Sequence, residues 1–335
     1  MSGPAPTLSV VICAYTTERW DDLVDAVRSV AAQRRPPDET LLVVDHCPDL
    51  ARLARTELPG VRVLENQQAR GLSGARNTGT GAARGDVVAY LDDDAAAEPD
   101  WADHLLAGYR DPRVLGVGGL IRPRWDTARP AWFPPEFDWV VGCSYRGLPP
   151  HEAPVRNLIG ANMSFRRAEV LAAGGFRADL GRIGNRPLGC EETDLCLRLA
   201  ERRPGAVLLY RPAAAVRHHV PAARTRWAYF RARCYAEGLS KAAVARRRGA
   251  AAALASERRY LRSTVPRALA RCLRRGGGGP RRAGALLTGV AWTVGGNAVG
   301  RLRGARAAAG GRAGNAAARP GSTAARPGRR PGNAP

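Results

Sequence analysis

Three consecutive aspartates, Asp92, Asp93 and Asp94, are the residues of this chain best suited to metal chemistry. They follow an apolar run at residues 86–91, which predicts a short buried strand that ends in a turn. Adjacent carboxylates repel one another, so three at the mouth of a sheet cost free energy unless a cation binds there. Mg²⁺ and Mn²⁺ take oxygen ligands and often share them with substrate phosphates. A solvated acidic turn is the alternative, and for an isolated triplet it is the commoner one.

Two further polar groups follow later in the chain. Glu191, Glu192 and Asp194 stand at the start of a stretch with the spacing of an amphipathic helix. Carboxylates at a helix N-terminus can act as a base, but they also simply complement the helix dipole. A histidine pair, His218 and His219, follows the next predicted strand. Taken alone, such a pair is more often structural than metal-binding.

Alternating strands and helices are predicted to position these groups. Helical spacing predicts helices between the strands, and apolar, β-branched runs predict strands at residues 8–15, 40–44, 61–64 and 86–91. This order indicates an α/β fold with a mostly parallel sheet covered on both faces. Ligands of open α/β sheets bind at the carboxyl ends of the strands. The position of the aspartate triplet therefore favours a functional site over a solvated turn.

A glycine-rich segment at residues 71–79 fits a tight turn into a helix whose N-terminal amides face an anion. The segment lacks the dinucleotide fingerprint and the P-loop lysine. It therefore predicts neither a Rossmann cofactor site nor an ATP site.

Charge divides the chain in two. Of 52 basic and 30 acidic residues, the part from Lys241 onward holds 21 basic residues and one acid, Glu257, so it carries +20 of the net +22. Such a region suits an anionic membrane surface or nucleic acid, or is simply solvated. The seven cysteines form no CxxC pair, which argues against a disulfide scaffold or zinc site. With no secretory signal or confident membrane span apparent, we expect a cytoplasmic protein.

Two segments have an unusual composition. Residues 125–150 are aromatic and Pro-rich, and a segment this long is either a packed surface loop or an acceptor-binding lid. From Arg301 the chain is Gly, Ala, Arg and Pro with almost no bulky apolar residue, which predicts disorder.

Five pieces in order resemble the inverting family 2 glycosyltransferases with the GT-A fold, over about residues 8–245. They are the strand end at residues 14–16, the strand end at 43–45, the turn at 71–79, the strand end at 91–94 and the helix start at 189–194. The stretches 138–143 and 233–241 are similar to prokaryotic enzymes described as polyprenyl-linked sugar glucuronosyltransferases.

The resemblance implies a sugar transfer from a nucleotide-diphosphate sugar, most often a UDP-sugar, with Mn²⁺ or Mg²⁺ as cofactor. The family's Asp-x-Asp motif maps onto Asp92, facing the donor ribose and the metal, and Asp94, binding the metal. Asp93 can share either role, because a triplet leaves the register ambiguous by one residue. Tyr15 and Asp45 lie where the family holds the nucleobase. A further substrate-binding residue, the basic partner of that site, is Arg76.

The same resemblance assigns the catalytic acids. Glu191-Glu192 takes the place of the family's Glu-Asp pair, with Glu192 as the base that removes the acceptor's hydroxyl proton. We expect the helix N-terminus to keep this carboxylate ionised. Asp194 is expected to bind substrate, and His218 to complete the metal shell.

The implied domains are a GT-A domain at residues 1–245, a basic helical extension at 246–300 and a disordered tail at 301–335. The first comprises a nucleotide-sugar-binding half, 1–122, and an acceptor-binding half, 123–245. We expect a lipid-linked or glycan acceptor, with the extension holding the protein on the anionic inner face of the cell membrane.

Three alternatives stay open. One is a soluble glycosyltransferase that acts on a small natural product. The others are a non-catalytic sugar-nucleotide-binding protein and a basic nucleic-acid-binding protein. The last is disfavoured, because the basic C-terminal region lacks an aromatic-interleaved basic groove and the body before it is nearly neutral.

Overall fold

A mixed sheet of nine strands forms the centre of the fold in the computed structural model, which describes residues 5–180, 189–249, 254–274 and 279–317. The strands are β1 (Leu8–Ala14), β2 (Glu39–Val44), β3 (Arg62–Glu65), β4 (Val87–Asp92), β5 (Ala95–Ala97), β6 (Val114–Trp125), β7 (Ala153–Pro154), β8 (Asn162–Arg166) and β9 (Val207–Val220).

Helices cover both faces of the sheet. They are α1 (Trp20–Ala31), α2 (Pro48–Glu57), α3 (Leu72–Ala82), α4 (Trp101–Ala107), α5 (Arg167–Ala172), α6 (Glu191–Arg202), α7 (Trp227–Arg248), α8 (Ala255–Arg259), α9 (Val265–Cys272) and α10 (Gly279–Ala317). A π-helical turn, Tyr260–Thr264, joins α8 to α9. Short 3-10 helices lie at Thr17–Arg19, Gly108–Arg110, Pro135–Val141 and Ala222–Thr225. Within this described part, no helix is both long and apolar enough to cross a bilayer.

The order of strands brings the predicted site residues to one edge. The sheet runs β3-β2-β1-β4-β8-β6-β9-β5, with β7 on β9. The first four strands are parallel, as predicted, and Cys13 lies opposite both Val43 and Asp92. Beyond β4 the sheet becomes mixed, because β8 runs antiparallel to β4 and β6. The carboxyl ends of β1, β2 and β4 therefore open onto the same space.

Apolar patterning accounts for this core. β1 is buried along almost its whole length, as expected for a central strand with helices on both faces. α1 packs one side against it through Leu23, Ala26, Val27 and Val30, which recur at helical spacing. The side chain of Thr16 accepts a hydrogen bond from the Glu18 amide, so this residue caps the turn before α1.

One strand is longer than its sequence pattern predicts. The apolar run at residues 207–210 begins β9, which continues to Val220 and pairs with β6 and β5. His218 therefore lies inside the strand, opposite Ala95. This pairing holds its side chain beside the aspartates that precede β5.

The long aromatic segment at residues 125–150 is packed and does not form a detached lid. Phe133 and Phe137 are fully buried in the main core, and both contact the ring of Phe230 on α7. Trp139 and Tyr145 in the same segment line the large cavity described below. The segment thus belongs to the core and to a cavity wall at once.

The C-terminal helices differ from the predicted division of the chain. The boundary predicted at residue 245 falls inside α7, and α10 packs along α7, so the extension is part of the same body. α10 also continues past Arg301 to Ala317, where the composition predicts disorder. Alanine and arginine are strong helix formers, which accounts for this difference. The rest of the predicted tail, residues 318–335, lies outside the described residues.

Two glycines allow α7 and α10 to approach backbone to backbone. A Cβ atom on Gly238 would lie 2.1 Å from the carbonyl oxygen of Thr293, and one on Gly296 would lie 2.1 Å from that of Tyr235. Backbone atoms cannot yield to such a contact, so any larger residue forces the helices apart. The adjacent Gly295 has no atom within 4 Å of its added Cβ and supplies a matched comparison.

We expect Gly296→Ala to lower the free energy of unfolding by about 1–3 kcal/mol, as overpacking typically does. Gly295→Ala should be neutral or stabilise the protein by about 0.5–1 kcal/mol, because alanine loses less backbone entropy in a helix. Denaturant unfolding of both variants checks this. Equal effects in the two variants would show that α7 and α10 are not in close contact.

Candidate active site

A single cavity of about 1230 Å³ gathers nearly all the predicted site residues. It opens at the carboxyl ends of β1, β2 and β4 and extends beneath α8 and α10. The predicted site residues that line it are Tyr15, Asp45, Arg76, Asp92, Asp93, Asp94, Glu191, Glu192 and His218. Because these residues come from distant parts of the sequence, the fold alone assembles them.

Asp92, Asp94 and His218 form a group able to hold a metal ion. One donor atom from each lies within 4.8 Å of the others, and the Nε2 atom of His218 is 3.1 Å from Oδ1 of Asp94. Two carboxylate oxygens with one imidazole nitrogen fit a divalent transition ion such as Mn²⁺, whereas Mg²⁺ prefers an all-oxygen shell. The geometry also fits an Asp-x-Asp register in which Asp93 is not a ligand.

Two arginines offset the charge of the aspartates. The Nη1 atom of Arg19 is 2.9 Å from Oδ1 of Asp93 and 3.0 Å from Oδ2 of Asp94, and Arg224 approaches the same Asp94 oxygen at 3.3 Å. Burial opposes ionisation of Asp94, but His218 and these guanidinium groups prevail and hold its pKa well below the usual range. Burial raises the pKa of Asp93 to about 8 against the opposing charge of Arg19.

Arg76 connects the aspartates to the acids of α6. Its buried guanidinium donates to Oε1 of Glu191 at 2.9 Å, to Oδ1 of Asp92 at 3.3 Å and to the carbonyl of Gly160 at 3.2 Å. The second oxygen of Glu191 is buried with no hydrogen-bond partner among the described residues. Arg76 was expected beside the nucleobase, but its contacts instead fix two carboxylates at the centre of the site.

Glu192 is the carboxylate of the pair that is partly exposed to the cavity. Burial, followed by the charge of Glu191, raises its pKa to about 8. The helix N-terminus was expected to keep this group ionised, but desolvation outweighs that effect here. A carboxylate with such a pKa binds a proton strongly, which suits a general base near neutral pH.

The residues predicted at the nucleobase differ in their surroundings. Tyr15 is 51% exposed at the end of β1, and the guanidinium of Arg19 lies 4.9 Å from its ring centroid. Asp45 is buried and accepts hydrogen bonds from the side chain of Asn66 and the amide of Gly71, at 2.7 and 2.9 Å. Asp45 therefore also fixes the turn that begins α3.

Asp194 does not line the cavity in the described structure. Its fully buried carboxylate is paired with Arg198 at 2.8 Å, Arg248 at 3.2 Å and Arg177 at 3.4 Å. Its placement does not support the predicted role in substrate binding. The pair with Arg198 spans four residues of one helix, a spacing that favours an ion pair and was visible in the sequence.

A second charged cluster in the cavity escaped the sequence analysis. Lys241 on α7 contacts Glu237 at 3.1 Å and Glu257 of α8 at 2.5 Å. Glu257 also accepts two hydrogen bonds from Arg156, at 2.7 and 2.9 Å. Although burial opposes it, these cations lower the pKa of Glu257 to about 2. The cluster joins the C-terminal helices to the rest of the fold. It lies beside the α6 acids, since the thiol of Cys190, the residue before Glu191, contacts the carboxylate of Glu237.

Comparison with known proteins is consistent with this site. Residues 9–170 match the model of the family described as Glycosyl transferase family 2. A glucosyl-dolichyl phosphate glucuronosyltransferase of Haloferax volcanii is 37% identical over 238 residues, which cover 70% of this chain and 76% of that protein. The succinoglycan biosynthesis protein ExoM of Rhizobium meliloti is 26% identical over 240 residues, covering 69% of this chain and 72% of the relative.

A solved structure has a similar fold. The mannosyltransferase PcManGT of Pyrobaculum calidifontis, solved in complex with GDP-Man and Mn²⁺, is 19% identical and has a TM-score of 0.55. The match covers 89% of this chain and 87% of that structure. The sequence matches identify the chain as a member of glycosyl transferase family 2, and the structural match shows the GT-A fold. The predicted family and fold are thus confirmed.

The geometry predicts which aspartates bind the metal. Asp94→Asn and His218→Ala should weaken Mn²⁺ binding at least tenfold, because each removes a ligand. Asp93→Asn should bind Mn²⁺ at least as well as the unaltered protein, since its carboxylate lies outside the group. Isothermal titration with Mn²⁺ alone measures this without turnover. A stronger loss in Asp93→Asn than in Asp94→Asn would shift the register by one residue.

Proposed function

We propose that this glycosyltransferase moves a sugar from a nucleotide-diphosphate sugar to a hydroxyl of a sugar carried on a lipid phosphate, with inversion at the anomeric carbon. The observation that carries the proposal is one continuous cavity whose polar contacts run from the aspartates through the α6 acids to the C-terminal helices. Such a cavity has space for a donor at one end and an acceptor at the other.

The donor end is the group around Asp92, Asp94 and His218. A divalent ion bound there would stabilise the negative charge that develops on the leaving diphosphate. Arg19 and Arg224 already lie at these aspartates and would add positive charge near the same oxygens. Tyr15 offers an exposed ring on which a nucleobase can stack, as predicted for the end of β1.

Glu192 lies between the two ends and is the proposed base. Its neighbour Glu191 is fixed by Arg76 on the donor side, while Glu237 of the second cluster affects its ionisation from the other side. A hydroxyl between Glu192 and the donor could pass its proton to the carboxylate as it attacks. Glutamate reaches further than the usual aspartate of the family, so the acceptor hydroxyl would lie further from α6.

The acceptor class is proposed from the relative and from the far wall of the cavity. The Haloferax relative is named for a glucosyl-dolichyl phosphate acceptor and a glucuronosyl donor. In this chain the cavity wall away from the aspartates combines aromatic side chains with arginines and Lys241. The aromatic side chains are Trp139, Tyr145 and Tyr260. Aromatic faces bind sugar rings and cations bind a phosphate, so both parts of such an acceptor find partners. We place the enzyme at the inner face of the cell membrane.

A matrix of donors and acceptors tests the proposal. We expect UDP release with mass gain of a glucuronosyl unit when UDP-glucuronate is mixed with glucosyl phosphoryl polyprenol in detergent and Mn²⁺. UDP-glucose, GDP-mannose and dTDP-glucose serve as comparison donors, and free glucose as the comparison acceptor. Preference for free glucose or another small alcohol would instead indicate a soluble natural-product enzyme. Donor binding without transfer to any acceptor would indicate a non-catalytic protein.

Replacing the proposed base should separate chemistry from binding. We expect Glu192→Gln to lower kcat by roughly 10²–10⁴-fold, as loss of a general base does, with Mn²⁺-dependent donor affinity unchanged. Stopped-flow or steady-state assays give kcat, and titration with UDP gives affinity. If the variant binds UDP weakly but keeps a normal kcat at saturating donor, Glu192 has a structural role.

The pH dependence should report the same group. Because burial and Glu191 raise the pKa of Glu192 to about 8, its active ionised form dominates above that pH, and kcat/KM should rise as pH increases through this range. Glu191→Gln removes the nearby negative charge and should move this limb to lower pH. A limb that stays in place in Glu191→Gln, or persists in Glu192→Gln, would belong to another group.

A further inference from the structure

The outer face of α10 carries an exposed apolar stripe. Leu287, Val294 and Leu302 are 57%, 53% and 64% exposed, and the exposed Ala291 and Ala298 lie between them. Their spacing of three, four and seven residues places them on one side of the helix. The opposite side, which includes the buried Leu286 and Gly296, packs inward. α10 therefore buries one apolar face and leaves a second without a partner among the described residues.

This stripe, which consists of residues 287, 291, 294, 298 and 302, continues into the cavity. Val294 lines the cavity as well as the stripe, and Val290 and Thr293 beside it also line the wall. From the π-helical turn, Leu261 lines the same opening and is 41% exposed. Val294 thus connects the stripe on the outside of the helix to the wall of the cavity.

Arginines surround this apolar rim. Arg259 and Arg267 are exposed, line the same mouth and form no ion pair within the described structure. Arg258 and Arg262 are exposed on the same short helices. The acid of this region, Glu257, is already neutralised by Lys241 and Arg156. The rim therefore has a net positive charge beside its apolar residues.

We propose that the stripe, Leu261, Arg259 and Arg267 form a docking surface for an anionic lipid bilayer, with the cavity mouth facing the membrane. Leucine and valine would enter the acyl boundary while the arginines contact phosphates at the headgroup level, the arrangement that holds interfacial helices on bilayers. The inference rests on the proposed lipid-linked acceptor, whose sugar would then enter the cavity from the bilayer. Charge complementarity and continuity with the cavity favour a membrane over a second copy of the chain.

Vesicle co-sedimentation of the full-length protein tests the surface. We expect binding to phosphatidylcholine vesicles that contain phosphatidylglycerol, much weaker binding to phosphatidylcholine alone, and release at high salt. Leu287→Gln with Val294→Gln should reduce partitioning by roughly tenfold, because two apolar side chains no longer enter the bilayer. Leu171→Gln is the matched control: this leucine on α5 is 45% exposed and away from the cavity. It should bind as the unaltered protein does.

The arginines have their own comparison. Arg259→Gln and Arg267→Gln should each weaken vesicle binding roughly fivefold at low salt, since each loses one favourable interaction between a cation and the anionic surface. Arg28→Gln, an exposed arginine on α1, should have little effect. Equal losses in Arg28→Gln would reduce the interaction to non-specific charge and overturn the assigned surface.

Three outcomes decide the inference, and the last two of them separate it from the proposed function. If the glutamine variants of the stripe bind vesicles normally but lose self-association in sedimentation velocity, the stripe is a dimer interface and the inference is wrong. If the unaltered protein ignores anionic vesicles yet glycosylates the polyprenyl acceptor in detergent, the function stands and the docking surface does not. Vesicle binding without any transfer to lipid-linked acceptors would leave the surface intact and overturn the function.

Discussion

The buried guanidinium of Arg76 is the contact on which the rest of the active site depends. A half-buried carboxylate of β4 and a buried one of α6 lie close together, where mutual repulsion and desolvation would normally protonate or separate them. Arg76 binds Asp92 and Glu191 simultaneously and also donates to the backbone at Gly160. One cation thereby fixes the strand end, which carries the proposed metal ligand Asp94, against the helix start, which carries the proposed base Glu192.

A second balance of charge connects the C-terminal helices to this centre. Lys241 and Arg156 enclose Glu257, which would otherwise be an acid in a strongly basic extension. Truncating both cations would leave a partly buried carboxylate unpaired, a change usually more costly than losing the whole cluster. The extension is therefore part of the cavity wall, and its position is set by ionic contacts as well as by the close packing of α7 and α10.

The sequence predicted the local parts of this architecture well. Apolar runs and turn residues located β1, β2 and β4, and the alternation with helices placed Asp92 and Asp45 at one edge. Those features depend on a few neighbouring residues. The Lys241 and Glu257 contact depends on how two helices pack, and no periodicity encodes that. One signal was nevertheless available, because Glu257 is the single acid after residue 240 and therefore needed a partner.

The placements that differ from expectation have the same origin. Asp194 and Arg76 were predicted to bind substrate because motif position indicates which residues gather at a site but not which of them contact one another. The contact of Arg76 with Glu191 depends on the approach of α6 to α3, whereas the pair of Asp194 with Arg198 follows from the four-residue spacing within α6. Similarly, the expected ionised state of Glu192 considered the helix dipole alone. Burial, which only the folded structure reveals, acts in the opposite direction and is stronger.

The backbone contact between α7 and α10 has a consequence for divergence within the family. Where helices meet through Gly238 and Gly296, no side chain is present that could be trimmed or enlarged to resize the adjoining cavity. Related chains that evolve a preference for a different acceptor would instead change the side chains that line the cavity around this contact, such as Val290 and Val294 of α10, the α8 and α9 segments or the aromatic wall. The two glycines would then stay the same among related chains, while the side chains that line the rest of the cavity vary.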